Sequence, residues 1–271
     1  MNRHLSFLRG FKKGFTLIEL LVAIAILAIV VVIAFQIIGM AGKTVTTDNK
    51  KIDGLTQARQ ALDRFGLDWN ARVVRDDVPV SLISQPGNDA ISFVSRIPAP
   101  TGDRAMAVVE YQLNTNTAGS NTYKLERGAL GFNWNGATPT FTVPMTNLPS
   151  LQTTNRQTLS PGIFRLKYAL LTKESGTNSA TLTNGSITNL TNLAAVVVGV
   201  AVIDDKSRKL LSAQQLQSLA AALPDPPASN PDPLATWQAA INSPGFAAAA
   251  GIPPGVVPGV RVYQRYFYVL P

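Results

Sequence analysis

The sequence predicts an α+β protein in which one long N-terminal helix precedes a β-rich remainder. The first observation is an apolar run that continues almost unbroken from Leu17 to Gly42. The second is a helical spacing of apolar residues that follows this run to about Asn70. The third is a change after Val73 to short β-like runs separated by turn residues. The 271 residues fit one domain of roughly 200 residues plus an extension.

The apolar run is long enough to cross a membrane as a helix. Leu20–Met40 is about 21 residues, whereas the apolar part of a secretory signal peptide is about 7 to 15 residues. No clear Ala-x-Ala cleavage site with a polar start follows the run. Glu19 stands at the head of the run without an obvious local partner, and because a carboxylate is costly in lipid, this position indicates a function.

The residues before Gly14 carry half of the net charge of +8, because they include four basic residues and no acidic one: Arg3, Arg9, Lys12 and Lys13. By the positive-inside rule, this predicts a cytoplasmic N-terminus with the remainder of the chain outside the cytoplasm. The single histidine, His4, lies in the same segment, and the chain has no cysteine. A chain without this segment therefore lacks the residues for His-dependent catalysis, cysteine nucleophiles and the usual zinc sites. We expect no enzymatic activity, no cofactor and no metal.

The ten residues from Lys13 to Val22, Lys-Gly-Phe-Thr-Leu-Ile-Glu-Leu-Leu-Val, resemble the class III signal of type IV prepilins and type II secretion pseudopilins. The resemblance rests on a short basic leader, Gly14 before Phe15, and a glutamate as the fifth residue of the mature chain. It implies a pilin-like fold, in which the first half of the long helix is embedded in the membrane and the second half packs on a mainly antiparallel sheet.

The resemblance also implies roles for individual residues. A prepilin peptidase would cut between Gly14 and Phe15 and methylate the new amino group of Phe15. Glu19 would then neutralise the N-terminal amine of a neighbouring subunit, a pairing that offsets the cost of burying either charge. The proline that the family usually carries further along the helix is absent, because Gln36 stands at that position. The helix bend attributed to that proline is therefore not carried over.

Three parts are expected on this basis: a cleaved leader at 1–14, a helix at 15–70 with about 17–42 in the membrane, and a β-rich domain at 71–271. The protein would be a single-pass protein of the bacterial inner membrane with a periplasmic C-terminal domain, incorporated into a pilus-like filament. Its implied partners are the prepilin peptidase, other minor and major pseudopilins or pilins, the inner-membrane assembly platform and the lipid bilayer.

The second half of the helix shows apolar residues at intervals of three and four, which predicts a face that packs against the sheet. No proline occurs between Phe15 and Asn70. The expected packing face consists of Ile52, Leu55, Leu62, Phe65 and Trp69.

The remainder is expected to be mostly antiparallel sheet, with strands at 78–83, 90–96, 105–113, 123–127, 130–134, 141–143, 163–171, 193–203 and 260–270. One short helix is predicted at Ser212–Ala222, where Pro224 stops it. Trp237 and Ile241 indicate a further helical turn or two within a segment rich in Pro, Gly and Ala. The rest of that segment is either ordered surface loop or flexible chain.

A looser resemblance extends beyond the N-terminal motif. The order of Gln57–Arg64, Val109–Leu113, Tyr123–Arg127 and Ile163–Tyr168 is similar to that of J-type minor pseudopilins, although the segment after Leu210 departs from that pattern. It implies a structural subunit at the tip of a type II secretion pseudopilus. A minor type IV pilin for pilus initiation, adhesion or DNA uptake is one alternative. A signal-anchored binding module, in which Gly14 and Glu19 are replaceable, is another.

Two adjacent acidic pairs, Asp76-Asp77 and Asp204-Asp205, lack the Asp-x-Asp-x-Asp-Gly pattern of a calcium loop. We expect them to form solvated turns or ion pairs with Arg75 or Lys206. The scattered arginines lack the interleaved aromatic residues that stack nucleic-acid bases, so nucleic acid is not an expected partner.

Overall fold

The computed structural model describes residues 16–75, 77–99, 106–116, 122–132, 140–142, 145, 147–173, 180–185 and 193–269. The chain divides into two compact units, Met1–Thr47 and Asp48–Pro271. The boundary between the units lies inside helix α1, Leu17–Asn70, and not at its end.

Helix α1 confirms the prediction of one nearly continuous N-terminal helix. A proline inside a helix removes a backbone hydrogen bond and is a common cause of a sharp kink, and α1 contains no proline. The threonines that follow the apolar run satisfy their own hydroxyls within the helix, since Thr44 donates to the carbonyl of Met40 at 3.1 Å and Thr46 to that of Gly42 at 2.8 Å.

The first sheet is an antiparallel meander of five strands in the order β1-β2-β3-β4-β5. Its strands are β1 Val80–Ile83, β2 Ala90–Ser95, β3 Ala107–Leu113, β4 Leu125–Gly131 and β5 Arg156–Ser160. A short 3-10 turn, Thr153–Asn155, leads into β5.

The second sheet has four antiparallel strands in the order β7-β6-β8-β9. Its strands are β6 Ile163–Lys173, β7 Ala180–Thr183, β8 Leu193–Ile203 and β9 Val260–Tyr268. Strand β8 is almost wholly apolar because both of its faces are buried. Val198, Val200 and Val202 pack with α1, while Ala201 and Ile203 pack on the opposite side of the sheet.

Four short helices lie between β8 and β9: α2 Asp205–Arg208, α3 Ala213–Ala221, α4 Pro233–Ile241 and α5 Phe246–Ala249, followed by a 3-10 turn at Pro254–Gly259. The start of α3 is fixed by a capping box between Ser212 and Gln215, and the start of α4 by Asp232 before Pro233. The predicted helix at Ser212–Ala222 and the helical turns around Trp237 are therefore confirmed.

The segment rich in Pro, Gly and Ala builds a second hydrophobic core. Trp237 and Leu219 are fully buried, together with Phe164 and Ile203 from the second sheet. The indole Nε1 of Trp237 donates to the carbonyl of Pro224 at 3.0 Å. Helices α3 and α4 therefore pack as part of the domain, and the alternative that this segment is flexible does not apply to them.

Some predicted strands were wrong in extent or position. The two strands expected at 123–127 and 130–134 are one strand, β4, which begins at Leu125 because Tyr123 has a φ of 50° that no strand accommodates. Phe141 and Thr142 lie outside any strand, and Val143 lies outside the described residues. Strands β5 and β7 were not predicted. The expected domain boundary at residue 71 also differs from the compact unit, which begins at Asp48.

Candidate functional site

The first turn of α1 is organised by Thr16 and Glu19. The Oε2 atom of Glu19 accepts hydrogen bonds from the backbone N–H of Thr16 at 2.9 Å and from its hydroxyl at 3.0 Å. The backbone N–H of Glu19 in turn donates to Oγ1 of Thr16 at 3.3 Å. This reciprocal arrangement is a capping box, which satisfies two backbone donors at the helix start. The expectation that Glu19 has no local partner was wrong, because the sequence Thr-x-x-Glu itself supplies one.

The helix after Glu19 presents a continuous apolar surface. Its large side chains from Leu17 to Met40 are between 43% and 80% exposed, so the described residues of the chain do not cover them. By length and composition, α1 can cross a membrane. Within the unit Met1–Thr47, these side chains form an exposed apolar surface, of the kind that marks membrane or protein interaction sites.

The second half of α1 packs on the domain through a different set of residues from the expected one. Leu62, Phe65 and Trp69 are buried as predicted, but Ile52 is 62% and Leu55 is 50% exposed. The buried face continues towards the N-terminus through smaller or polar residues: Gly54, Gln57, Ala58 and Ala61. An alanine methyl at position 54 would be in ordinary contact with the domain, 3.9 Å from the hydroxyl of Tyr263, so this position has room for a small side chain.

Gln57 joins α1 to two loops of the domain. Its Oε1 atom accepts hydrogen bonds from the backbone N–H of Gly162 at 2.7 Å and the hydroxyl of Ser160 at 3.2 Å. Its Nε2 atom donates to Asp53 at 3.2 Å and to Asp205 at 3.3 Å. The side chain thus satisfies a buried backbone donor at the start of β6 and holds α2 next to α1.

Replacing Gln57 with alanine is expected to lower the free energy of unfolding by about 1 to 3 kcal/mol, because the N–H of Gly162 loses its partner while it stays buried. Urea denaturation followed by tryptophan fluorescence measures this change. Gln60 is exposed on the same helix, so Gln60→Ala is the matched control and should change the free energy by less than about 0.5 kcal/mol. Equal effects of the two substitutions would contradict the role of Gln57.

Asp68 is the centre of a buried charge cluster between α1 and the first sheet. Its side chain is 0% exposed. Its carboxylate accepts two hydrogen bonds from Arg127, one from Nε at 2.6 Å and one from Nη2 at 3.0 Å. Arg64 contributes a bond of 3.2 Å, and the hydroxyl of Tyr111 also donates to Asp68. Burial and the charge of Asp68 raise the pKa of Tyr111, which therefore stays protonated and donates. Burial alone would lower the pKa of Arg127, but the bonds and charge of Asp68 raise it.

Comparison with known protein families gives a match for the N-terminal segment. Residues 9–35 match the prokaryotic N-terminal methylation motif. This match spans Gly14, Phe15 and Glu19 together with the start of the apolar helix. The chain carries a prokaryotic N-terminal methylation motif. No curated protein matches the chain.

The solved structures include a type IV-like pilin from Thermus thermophilus that is 13% identical to this chain. The alignment covers 80% of this chain and 94% of that one, with a TM-score of 0.32. A TM-score this low does not show a shared fold. The α+β assignment is therefore based on the helices and strands of this chain.

The predicted cleavage position lies outside the described residues, since both Gly14 and Phe15 precede residue 16. Their predicted roles in leader cleavage and N-methylation stay predictions. Glu19 is described, and the structure places it in the first turn of α1, where it bonds to Thr16. Its predicted role in assembly also stays a prediction.

The acidic pairs of the chain have structural roles that were only partly predicted. Arg75 holds Asp77 through two bonds of 2.7 Å, as expected, and Asp76 lies outside the described residues. Asp204 is not in a solvated turn but is a buried N-cap, which accepts from the N–H of Ser207 at 3.0 Å. Among the described residues, no group of three or more His, Cys, Asp or Glu side chains could hold a metal.

Proposed function

We propose that this protein is a structural subunit of a pilus-like filament, processed at Gly14-Phe15 and assembled through helix α1. The observation that carries the proposal is the coincidence of the methylation motif at residues 9–35 with an apolar helix that the described chain does not bury. A filament core of neighbouring helices, or the membrane before assembly, supplies the missing apolar surroundings. This role needs no enzymatic activity.

The geometry of Glu19 is compatible with a partner from another subunit. Within the described residues, both hydrogen bonds from Thr16 end on the Oε2 atom, and no bond is made to Oε1. A carboxylate has lone pairs on both oxygens, so Oε1 can accept from the N-terminal amine of a neighbouring subunit while Oε2 caps its own helix. Because the N–H of Thr16 is a peptide group, the capping box survives cleavage before Phe15.

The finer assignment that we propose is a J-type minor pseudopilin at the tip of a type II secretion pseudopilus, in the bacterial inner membrane before assembly. It is supported by the similarity in residue order from Gln57 to Tyr168. The peptidase, other pseudopilins and the inner-membrane assembly platform are the proposed partners, and the C-terminal domain is proposed to be periplasmic.

Mass spectrometry of the full chain purified from its own cells tests the proposal. The mature N-terminus is expected to be Phe15 carrying one added methyl group on its amine. The subunits that co-purify with it are expected to be minor pseudopilins. An N-terminus at any other residue would contradict the filament assignment, while co-purification with pilus subunits alone would contradict the secretion assignment only.

A further inference from the structure

An open pocket lies where α2 and α3 meet the loop between β3 and β4. Its volume is about 430 Å³, within the usual range of small-ligand sites of roughly 300 to 1,000 Å³. Its polar lining comes from Lys124, Asp205, Arg208 and Lys209. All of these residues belong to the unit Asp48–Pro271, and none belongs to the methylation motif.

Arg208 contributes a partly buried positive charge that has no carboxylate bound to it in the described part of the chain. Its Nη2 atom donates to the carbonyl of Thr122 at 2.7 Å, and its Nη1 atom is buried without a hydrogen-bond partner. Burial lowers the pKa of Arg208, and the nearby charge of Asp205 only partly opposes this. Among the other buried or partly buried cations of the domain, Arg127, Arg156 and Lys167 have carboxylate partners, whereas Arg72 donates to the carbonyl of Trp69 and lies over its ring.

The net charge of the residues that line the pocket is positive. Lys209 ends α2 on the same rim, and Lys124 lies opposite in the lining. The only carboxylate among the lining residues, Asp205, already accepts a hydrogen bond from Gln57 at 3.3 Å. A negatively charged group would therefore be stabilised in this pocket.

The rest of the lining is apolar. Pro161, Leu211, Ala213 and Leu216 form one wall, and Leu216 belongs to the buried side of α3. The left-handed conformation of Tyr123 is held by a hydrogen bond of 2.6 Å from its N–H to the carbonyl of Asn114. Because its neighbours are Thr122 and Lys124, this backbone conformation fixes two lining residues. A ligand must match both the cationic rim and the apolar wall.

We propose that this pocket binds a carboxylate joined to a short apolar group, supplied either by a free small organic acid or by a polypeptide. The charge of the carboxylate meets Arg208 and Lys209, while the apolar group contacts Leu211 and Leu216. The site does not involve the N-terminal segment, so a test of this site does not test the proposed filament role.

Isothermal titration calorimetry on the full chain in nonionic detergent tests this site. The probes are 3-methylbutanoate as a free acid, N-acetyl-alanyl-leucine with a free carboxyl end as the polypeptide form, and 3-methylbutanamide as the uncharged analogue. We expect saturable binding of one or both carboxylates and none of the amide. Binding of the free acid alone, or of the peptide alone, identifies the source of the ligand.

Two variants of α2 separate a defined site from general positive charge. Lys209→Gln removes a charge from the pocket lining, while Lys206→Gln removes the same charge from an exposed position outside the lining. We expect Lys209→Gln to weaken carboxylate binding roughly fivefold, as for one partly solvated charge pair, and Lys206→Gln to leave it unchanged. Equal weakening by both variants, equal binding of inorganic phosphate, or absence of carboxylate binding would overturn the proposal.

Discussion

Replacing Asp68 with alanine is expected to lower the free energy of unfolding by about 3 to 5 kcal/mol, because it leaves a buried guanidinium without its counter-charge. Arg127 donates two hydrogen bonds to Asp68, and its own side chain is only 13% exposed. The hydroxyl of Tyr111 would lose its acceptor in the same variant. A loss of this size would remove a large part of the stability of an ordinary domain.

A matched control for Asp68 lies five positions earlier on the same helix. Asp63 also carries two arginine partners, Arg59 and Arg265, but its side chain is 45% exposed. Asp63→Ala is therefore expected to cost no more than about 1 kcal/mol, since solvent screens exposed ion pairs. Urea denaturation of both variants, followed by the fluorescence of Trp69 and Trp237, measures the difference. A loss for Asp68→Ala no larger than that for Asp63→Ala would contradict the role of the buried cluster.

The periodicity of α1 predicted its extent but only part of its buried face. A search for apolar residues at intervals of three and four selected Ile52 and Leu55, which are exposed. The observed face repeats at the same intervals, but it includes Gly54, Gln57 and Asp68. These residues are buried because the domain supplies close approach or hydrogen-bond partners for them. Some of these partners, Asp53 and Arg64, lie four residues away on the same helix, but Arg127, Tyr111 and Gly162 are more than forty residues away in the sequence. The pattern of the helix alone could not reveal these distant partners.

The strands that were predicted well are those with apolar side chains on buried faces. Strand β8 was predicted with its observed bounds, Leu193–Ile203, because it is continuously apolar. Strand β5, Arg156–Ser160, is polar and mostly exposed, and it is held at the edge of the first sheet by pairing with β4. Its pairing depends on backbone groups that every sequence carries, so its side chains gave no signal.

The N-terminal site, in contrast to the packing face of α1, could be predicted from a local sequence pattern. The methylation motif is a local pattern, so Gly14, Phe15 and Glu19 could be selected from the sequence alone. The capping box was also present in the sequence as Thr16-x-x-Glu19, four residues that signal a helix start. It was missed because Glu19 was interpreted only as an intermolecular partner. The structure gives the same carboxylate an intramolecular role, and the two roles predict different effects of mutation.

Replacing Glu19 with valine is expected to leave leader cleavage intact and to abolish incorporation into filaments. Without the carboxylate, the N-terminal amine of the neighbouring subunit would be buried unpaired, at a cost of several kcal/mol. Immunoblotting of sheared filaments, together with the size of the chain retained in the membrane, measures assembly and processing separately. Normal incorporation of Glu19→Val would show that the carboxylate is not required for assembly.

Two further variants separate the charge of Glu19 from its capping role. Glu19→Gln keeps a side chain that can complete a capping box but removes the charge, whereas Thr16→Val removes the cap hydroxyl and keeps the charge. If the amine pairing controls assembly, Glu19→Gln should fail to assemble as Glu19→Val does. Thr16→Val should still assemble, because loss of a helix cap costs only about 0.5 to 2 kcal/mol. The reverse result would mean that Glu19 acts in assembly by fixing the first turn of its own helix, and the contact with a neighbouring amine would then be unnecessary.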